Sequence, residues 1–235
     1  MHPQLVLSLD APPAATFGSF RADEPRRVVP LGIEAFAEGR LEERQIYLWG
    51  EAGSGKSHLL VAACHAVREA GYLAAYVPGS NANHGDALAG YEGFELLCID
   101  DLQRLEPGAE LDLYRCINRC HEQGTRLLFA ADRPIDALGL EMTDLVSRLT
   151  WGPTFQLAAL QGPVLLEAVR AELERRSLVC GEDLPAWLVR RFGNDLAAIK
   201  RFVGRLGEAS LRERKRATVA LARRLDGGEG EASGS

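Results

Sequence analysis

No stretch of the chain approaches the run of about 18 apolar residues that a membrane-crossing helix needs, and the N-terminus lacks the basic region followed by an apolar run that marks an export signal. The sequence therefore predicts a soluble, unexported, cytoplasmic protein with no membrane partner. A surplus of positive charge is missing too: 27 Lys and Arg stand against 33 Asp and Glu in 235 residues, a net charge of −6. That balance argues against a surface coated in phosphate contacts, because nucleic-acid binders carry a clear basic excess. Nor do the cysteines form a framework. Cys64, Cys98, Cys116, Cys120 and Cys180 are odd in number and scattered through segments that read as core helix and strand, which fits reduced cytosolic thiols. Cys116, Cys120 and His121 lie together, but no second ligand pair stands at finger spacing, so buried helical cysteine is the preferred reading. No internal repeat is evident.

What is present begins with an ordinary globular share of hydrophobic residues, 46%, in a chain long enough for one α/β domain and a small second one. Residues 1–16 read as a flexible tail, because Pro3, Pro12 and Pro13 forbid a continuous helix and only Leu5, Leu7 and Leu9 alternate as a strand would. From Gln45 onward, short apolar runs alternate with helical patterns. Strands are predicted at Ile46–Trp49, Leu73–Val77, Leu96–Ile99, Leu127–Ala131 and Thr154–Leu157, with helices at His58–Ala70, closed by Gly71, and Leu111–Glu122. Such alternation implies an α/β fold with a mostly parallel sheet flanked by helices, spanning 17–160. After it, Val164–Ser177, Leu184–Phe192, Asp195–Leu211 and Ala217–Leu225 carry only helix-period apolar positions, a small all-helical domain over 161–225. Residues 226–235 are Gly, Glu and Ser with one Ala after the opening Asp, a composition that predicts disorder.

The charge is uneven. Between Lys200 and Arg224 nine Lys or Arg face two Glu, a local surplus of seven. A solvated helix face, which also suits helix C-termini, is favoured there over a phosphate-binding strip.

The strongest chemical signal is Gly50-Glu51-Ala52-Gly53-Ser54-Gly55-Lys56-Ser57, a full match to the phosphate-binding loop pattern, with an apolar strand before it and a helix, starting at His58, after it. Glycines at these spacings let the backbone wrap phosphates with its N–H groups inward, and the helix start adds a positive dipole end. Lys56 is placed to reach the β- and γ-phosphates, and the Ser57 hydroxyl to ligate Mg²⁺ beneath ADP or ATP. Further along, Glu95–Asp101 is an apolar strand ending in two carboxylates. Asp100 stands where the Walker B acid holds Mg²⁺, and Asp101 where many hydrolysing enzymes carry a Glu that orients water. The shorter Asp predicts weak intrinsic ATPase turnover.

The order of motifs then resembles a known family over roughly Thr16 to Leu225. Thr16-Phe17-x-x-Phe20, the phosphate loop, Cys98-Ile99-Asp100-Asp101-Leu102-Gln103, Ala131-Asp132-Arg133-Pro134 and Asp144-Leu145-x-Ser147-Arg148-Leu149-x-Trp151-Gly152 look like the AAA+ core of the bacterial replication initiators of the DnaA family. Those initiators carry a C-terminal helix-turn-helix DNA-binding domain, and this sequence stops after the helical lid, as in the truncated branch of regulatory inactivators known as Hda. The resemblance implies a clamp-binding peptide at Gln4-Leu5-Val6-Leu7-Ser8-Leu9, with Gln4, Leu5, Leu7 and Leu9 as anchors for the DNA polymerase III sliding clamp. Taken alone, the alternating leucines fit an edge strand equally well.

By the same resemblance Asp132 takes the sensor 1 position, whose alternative is a plain turn residue before Pro134. Arg148 takes that of an arginine finger delivered to a neighbour's nucleotide, and its alternative is a surface salt bridge. Ala197 falls where the initiators carry a lid arginine, so that either Lys200 or Arg201, one turn later, substitutes or the nucleotide lacks this contact. With no Walker B Glu either, a static nucleotide, ADP above all, is expected. The implied function is negative regulation of DNA replication initiation. Bound to the clamp, with DNA contacted only through it, the protein stimulates hydrolysis of DnaA-bound ATP and is nucleoid-associated in that way. Rival readings are a helicase-loader-like ATPase gripping single-stranded DNA, and a clamp-linked adaptor without stimulating activity. A homo-oligomer is compatible with each.

Overall fold

The computed structural model describes residues 15–20 and 27–227. The peptide with Gln4, Leu5, Leu7 and Leu9 and the segment 228–235 lie outside the described residues. The chain divides into two compact units, one holding the described residues up to Glu51 together with Gly55–Ala158, the other Ala52–Ser54 together with the residues from Ala159 onward.

In the first unit five strands form one parallel sheet: β1 (Gln45–Trp49), β2 (Ala74–Pro78), β3 (Leu96–Asp100), β4 (Arg126–Ala131) and β5 (Thr154–Gln156). Their spatial order is β2-β3-β4-β1-β5. Helices of this unit are α1 (Val28–Ala37), α2 (Lys56–Glu69), the single turn α3 (Gly79–Ala82), α4 (Glu110–Gln123) and α5 (Thr143–Leu149).

Alternate strand residues feed two cores. Ile46, Leu48, Leu96, Cys98, Leu128 and Ala130 pack with residues of α1 and α2. Tyr47, Leu97, Ile99, Leu127, Phe129 and Ala131 pack with residues of α4 and α5. A sheet covered on both faces has no polar side, which is why β3 and β4 read as unbroken apolar runs. All but one of the cysteines are buried there: Cys64 on α2, Cys98 on β3, and Cys116 and Cys120 on α4.

Strand limits differ from the sequence pattern by a residue or two. Leu73 stays outside β2 and is largely exposed, its carbonyl accepting from the Glu95 N–H, while Pro78 closes the strand. α1, which lies before the first element read from the sequence, contains Pro30 and Gly32. Pro30 sits in the first turn, where its missing N–H has no partner to lose, and Ile33 and Phe36 bury fully below it.

The second unit contains α6 (Gly162–Arg175), α7 (Leu184–Phe192), α8 (Leu196–Glu213) and α9 (Val219–Gly227), closed around Leu165, Val169, Leu188, Ile199, Phe202 and Leu206. Asp226 and Gly227 finish α9, so the disorder expected from residue 226 does not begin there. Glu172 is 4% exposed and takes Arg175 at 2.7 Å and Arg176 at 2.6 Å. Burial pushes this carboxyl up, but the hydrogen bonds from the two guanidinium groups outweigh it and hold it below its usual range. Among the described residues no helix is long and apolar enough to cross a membrane.

Candidate functional site

The polar end of the sheet is built where β1 and β3 stop. After Trp49 the chain enters the loop Gly50–Ser57, in which Gly53 (φ 77°) and Gly55 (φ 103°) hold left-handed conformations that a side chain would strain. α2 starts at Lys56, so the loop delivers directly into a helix N-terminus. Lys56 is 7% exposed, and its ammonium donates to the Gly50 carbonyl at 2.7 Å and the Glu51 carbonyl at 2.9 Å. Burial lowers its pKa, and the charges of Asp100, Asp101 and Asp132 act in the opposite direction. The structure thus gathers Lys56, Ser57 and the three carboxylates into one constellation.

Asp100 ends β3 and is 1% exposed. One carboxylate oxygen accepts the Asp101 N–H at 2.8 Å, the other the Tyr76 hydroxyl at 2.7 Å, and the Ser57 hydroxyl bonds the same carboxyl. Burial raises its pKa, and the Ser57 and Tyr76 hydrogen bonds partly offset that rise. Asp101 adopts a left-handed conformation (φ 53°, ψ 46°), uncommon outside glycine. Its carboxylate accepts the Gln103 side-chain amide at 2.9 Å, with Arg104 3.7 Å away. The other end of the Gln103 amide accepts the Asp132 N–H at 3.1 Å, so one side chain bridges the ends of β3 and β4. The Asp132 carboxylate itself is held by Arg133 through two contacts, 2.6 and 3.0 Å, and those hydrogen bonds lower its pKa.

The segment Thr16–Phe20 folds over the beginning of α2. His58 bonds the Thr16 carbonyl at 2.9 Å and the Ser19 hydroxyl at 3.1 Å, while the Phe20 ring stands edge-on to the imidazole at 5.6 Å. Phe20 also lies against Gly55, where any Cβ would fall 2.5 Å from its ring. Thr16, placed in the tail on sequence grounds, caps this turn, and Ala15 before it is buried.

Arg148 is not part of that constellation. It lies on α5, which is held by the buried Glu110 carboxylate accepting the N–H groups of Glu141 and Met142, and by Leu145 and Leu149 in the core. The carbonyls of Arg148 and Leu149 each accept the Gln45 amide at 2.9 Å, and Gln45 opens β1. The phosphate loop leaves the opposite end of the same strand, roughly 13 Å away for five residues at 3.3 Å rise. The guanidinium stacks 3.8 Å over the Trp151 ring and 5.6 Å from the Tyr114 ring, and Trp151 is 53% exposed. His121 stands edge-on to Trp151 at 5.1 Å and bonds the Gln45 side-chain oxygen at 3.2 Å. In the second unit Ala197 is exposed in the first turn of α8, which Asp195 caps through the Ala198 N–H. Several cations of the basic stretch are engaged locally: Lys215 and Arg224 by Glu213, and Arg205 by the Phe202 ring.

Two residues of the site carry no signal in the sequence. Gln103 lay inside a recognised motif but gave no sign of its double role. Tyr76 looked like an ordinary strand residue, because its partner is on the neighbouring strand.

No protein-family model matches the chain. Among solved structures, domain III of the Thermotoga maritima replication initiation protein DnaA superposes with a TM-score of 0.79 at 19% identity, covering 92% of this chain and 96% of that one. A replication initiator DnaA bound to AMPPCP and single-stranded DNA gives 0.71 at 20% identity, covering 87% and 69% respectively. A point mutant of Thermotoga maritima RuvB gives 0.66 at 17%, covering 90% and 71%. The fold is like that of domain III of DnaA, a five-stranded parallel sheet flanked by helices and followed by a helical C-terminal region.

Proposed function

We propose that this chain is a DnaA-related AAA+ regulator of the Hda type, which holds an adenine nucleotide at Gly50–Ser57 and acts on the ATP of a separate DnaA molecule. In this reading the loop backbone and Lys56 cradle the phosphates. Ser57 and Asp100 offer the hard oxygen donors that suit Mg²⁺, which when bound neutralises charge on the phosphate oxygens. The fit rests on the donor set: an alcohol and a buried carboxylate beside a buried ammonium at a helix N-terminus. The chain's own hydrolytic groups are tied up. Asp101 is fastened to Gln103 and Asp132 to Arg133, which supports a resident, slowly turned-over nucleotide, ADP above all.

The observation that carries the proposal is the place of Arg148. Its backbone is pinned at the end of β1 remote from its own loop, and its guanidinium rests on an exposed aromatic platform. A cation so placed serves a nucleotide on another molecule, where an arginine finger offsets charge on the transferring phosphoryl group. Gln4, Leu5, Leu7 and Leu9 dock the protein on the DNA polymerase III sliding clamp, bringing it to DnaA where replication has begun and preventing re-initiation.

The test is single-turnover hydrolysis of ATP pre-bound to DnaA, with DNA-loaded clamp present. The full chain should accelerate it, and a version lacking Met1–Leu9 should not while still binding nucleotide. Equal activity without the peptide removes the clamp from the mechanism. No acceleration by the full chain sinks the proposal and leaves an adaptor. The helicase-loader alternative would show instead as tight, salt-dependent binding of a plain oligonucleotide.

A further inference from the structure

Tyr76 occupies a place that neither the loop nor the acidic motif accounts for. β2 and β3 are parallel neighbours, and Tyr76 stands opposite Cys98. Side chains opposite each other share a sheet face, and residues two apart on a strand share it as well. Tyr76, Cys98 and Asp100 therefore all face α2, the helix that carries Ser57. Beyond Tyr76 the chain is drawn tightly against the end of β3. At Gly79 a Cβ would stand 2.4 Å from the Asp101 carbonyl oxygen and 2.9 Å from that of Asp100, so only glycine permits the approach. The phenol is thereby delivered to Asp100 at 2.7 Å, with the Ser57 hydroxyl beside it.

We propose that Tyr76 is a positioning residue for the cation that accompanies the nucleotide: its hydroxyl fixes the Asp100 carboxylate, beside Ser57, in the orientation in which the two oxygens take Mg²⁺. This rests on the nucleotide-site reading above. Asp100 is almost fully buried, and a carboxylate withdrawn from water keeps its charge and direction only if donors satisfy its oxygens. Two donors here have no charge of their own to compete with a cation, the Asp101 N–H on one oxygen and the Tyr76 O–H on the other. With both fixed, the carboxylate cannot rotate away, and its remaining lone pairs are committed to the Ser57 side. Removing the phenol oxygen frees one carboxylate oxygen in a site with little water. Partners that orient a metal ligand are commonly worth about 10–100-fold in metal affinity. In the nucleotide-site reading the loop backbone and Lys56 hold the phosphates, whereas Tyr76 reaches the site through Asp100 and Ser57, the two proposed metal ligands, so its loss falls mainly on the metal-dependent part of binding.

The experiment is a titration of Mg²⁺ into a mixture of the full chain and a fluorescent ADP analogue, starting from excess chelator, for the wild type and Tyr76→Phe, with melting temperatures recorded alongside. Tyr76→Phe should lose less affinity for the analogue in chelator than with Mg²⁺ present. It should need about tenfold more Mg²⁺ to reach half of the metal-dependent change. A midpoint within twofold of wild type overturns the proposal, as does an equal loss of binding with and without Mg²⁺, which would mark Tyr76 as a packing residue of the loop. Should Tyr76→Phe melt early, Tyr76→Met, which also lacks the hydroxyl but keeps an apolar chain, must show the same metal-selective shift or the proposal fails. A wild type that binds the analogue in neither condition refutes the nucleotide-site reading and takes this inference with it, an outcome distinct from a wild type that binds normally with no Tyr76 effect.

Discussion

The two ends of β1 are chemically unlike. At the Trp49 end the chain turns into a glycine loop where a buried ammonium, an alcohol and three carboxylates answer one another. At the Gln45 end a buried amide ties down α5, and a half-exposed tryptophan carries a cation on its face. In the first arrangement one buried cation faces three carboxylates, two of them paired with arginines of their own, Asp101 with Arg104 and Asp132 with Arg133. The second is outward, aromatic and cationic, the composition of groups that dominate protein interfaces. One strand thus separates the site proposed to hold a nucleotide from the residue proposed to act on a nucleotide of another molecule.

That separation is broken most forcefully from the loop side. Lys56→Ala should weaken ADP binding by at least about 100-fold, since the buried ammonium proposed to meet the phosphates is lost, while the Arg148 platform stays in place. Equilibrium binding of a fluorescent ADP measures it. Retained affinity would mean that the loop does not serve phosphate.

A smaller effect is expected at the other end. Gln45→Leu leaves the Arg148 and Leu149 carbonyls and the His121 ring without their shared partner in a site 1% exposed, a cost of about 2–3 kcal/mol in chemical denaturation. Nucleotide affinity of the folded protein should be unchanged. If it falls with stability, the two ends are coupled through β1 and not independent.

The smallest effect is pH-dependent. Burial first, and then the positive charges of Arg148 and Arg44, lower the His121 pKa below its usual 6.5. The folded protein therefore keeps the ring neutral at a pH where the unfolded chain has begun to protonate it. His121 contributes stability above about pH 6.5, and that contribution is lost as pH falls through its folded value. The melting temperature of wild type should drop more steeply from about pH 7.5 to about pH 5.5 than that of His121→Phe. Parallel curves would show that the ring is not held neutral.

Much of the first region is legible in sequence. A sheet buried on both faces writes itself as apolar runs, and a phosphate loop must repeat glycine where left-handed backbone is needed, so β1, β3, β4 and Gly50–Ser57 stand out. What sequence hides are the contacts that cross strands. Tyr76 meets Asp100, and Gln103 meets Asp132, only because the register of β2, β3 and β4 brings them side by side. α1 lies before the first element read from the sequence, and its Pro30 is a breaker everywhere except in a first helical turn. Arg148 and Trp151 are three residues apart and close on each other as neighbours around a helical turn do, yet nothing in the spacing reveals that Gln45 anchors them to the far end of β1.

The central claim, that Arg148 acts on a nucleotide held by another molecule, is tested most directly by single-turnover hydrolysis of labelled ATP on DnaA with DNA-loaded clamp, comparing the intact protein with Arg148→Ala. Arg148→Ala should bind its own ADP within about twofold of wild type but lose stimulation by about 10³-fold, or to the unstimulated rate. Undiminished stimulation by Arg148→Ala, or loss of its own nucleotide binding, would contradict it.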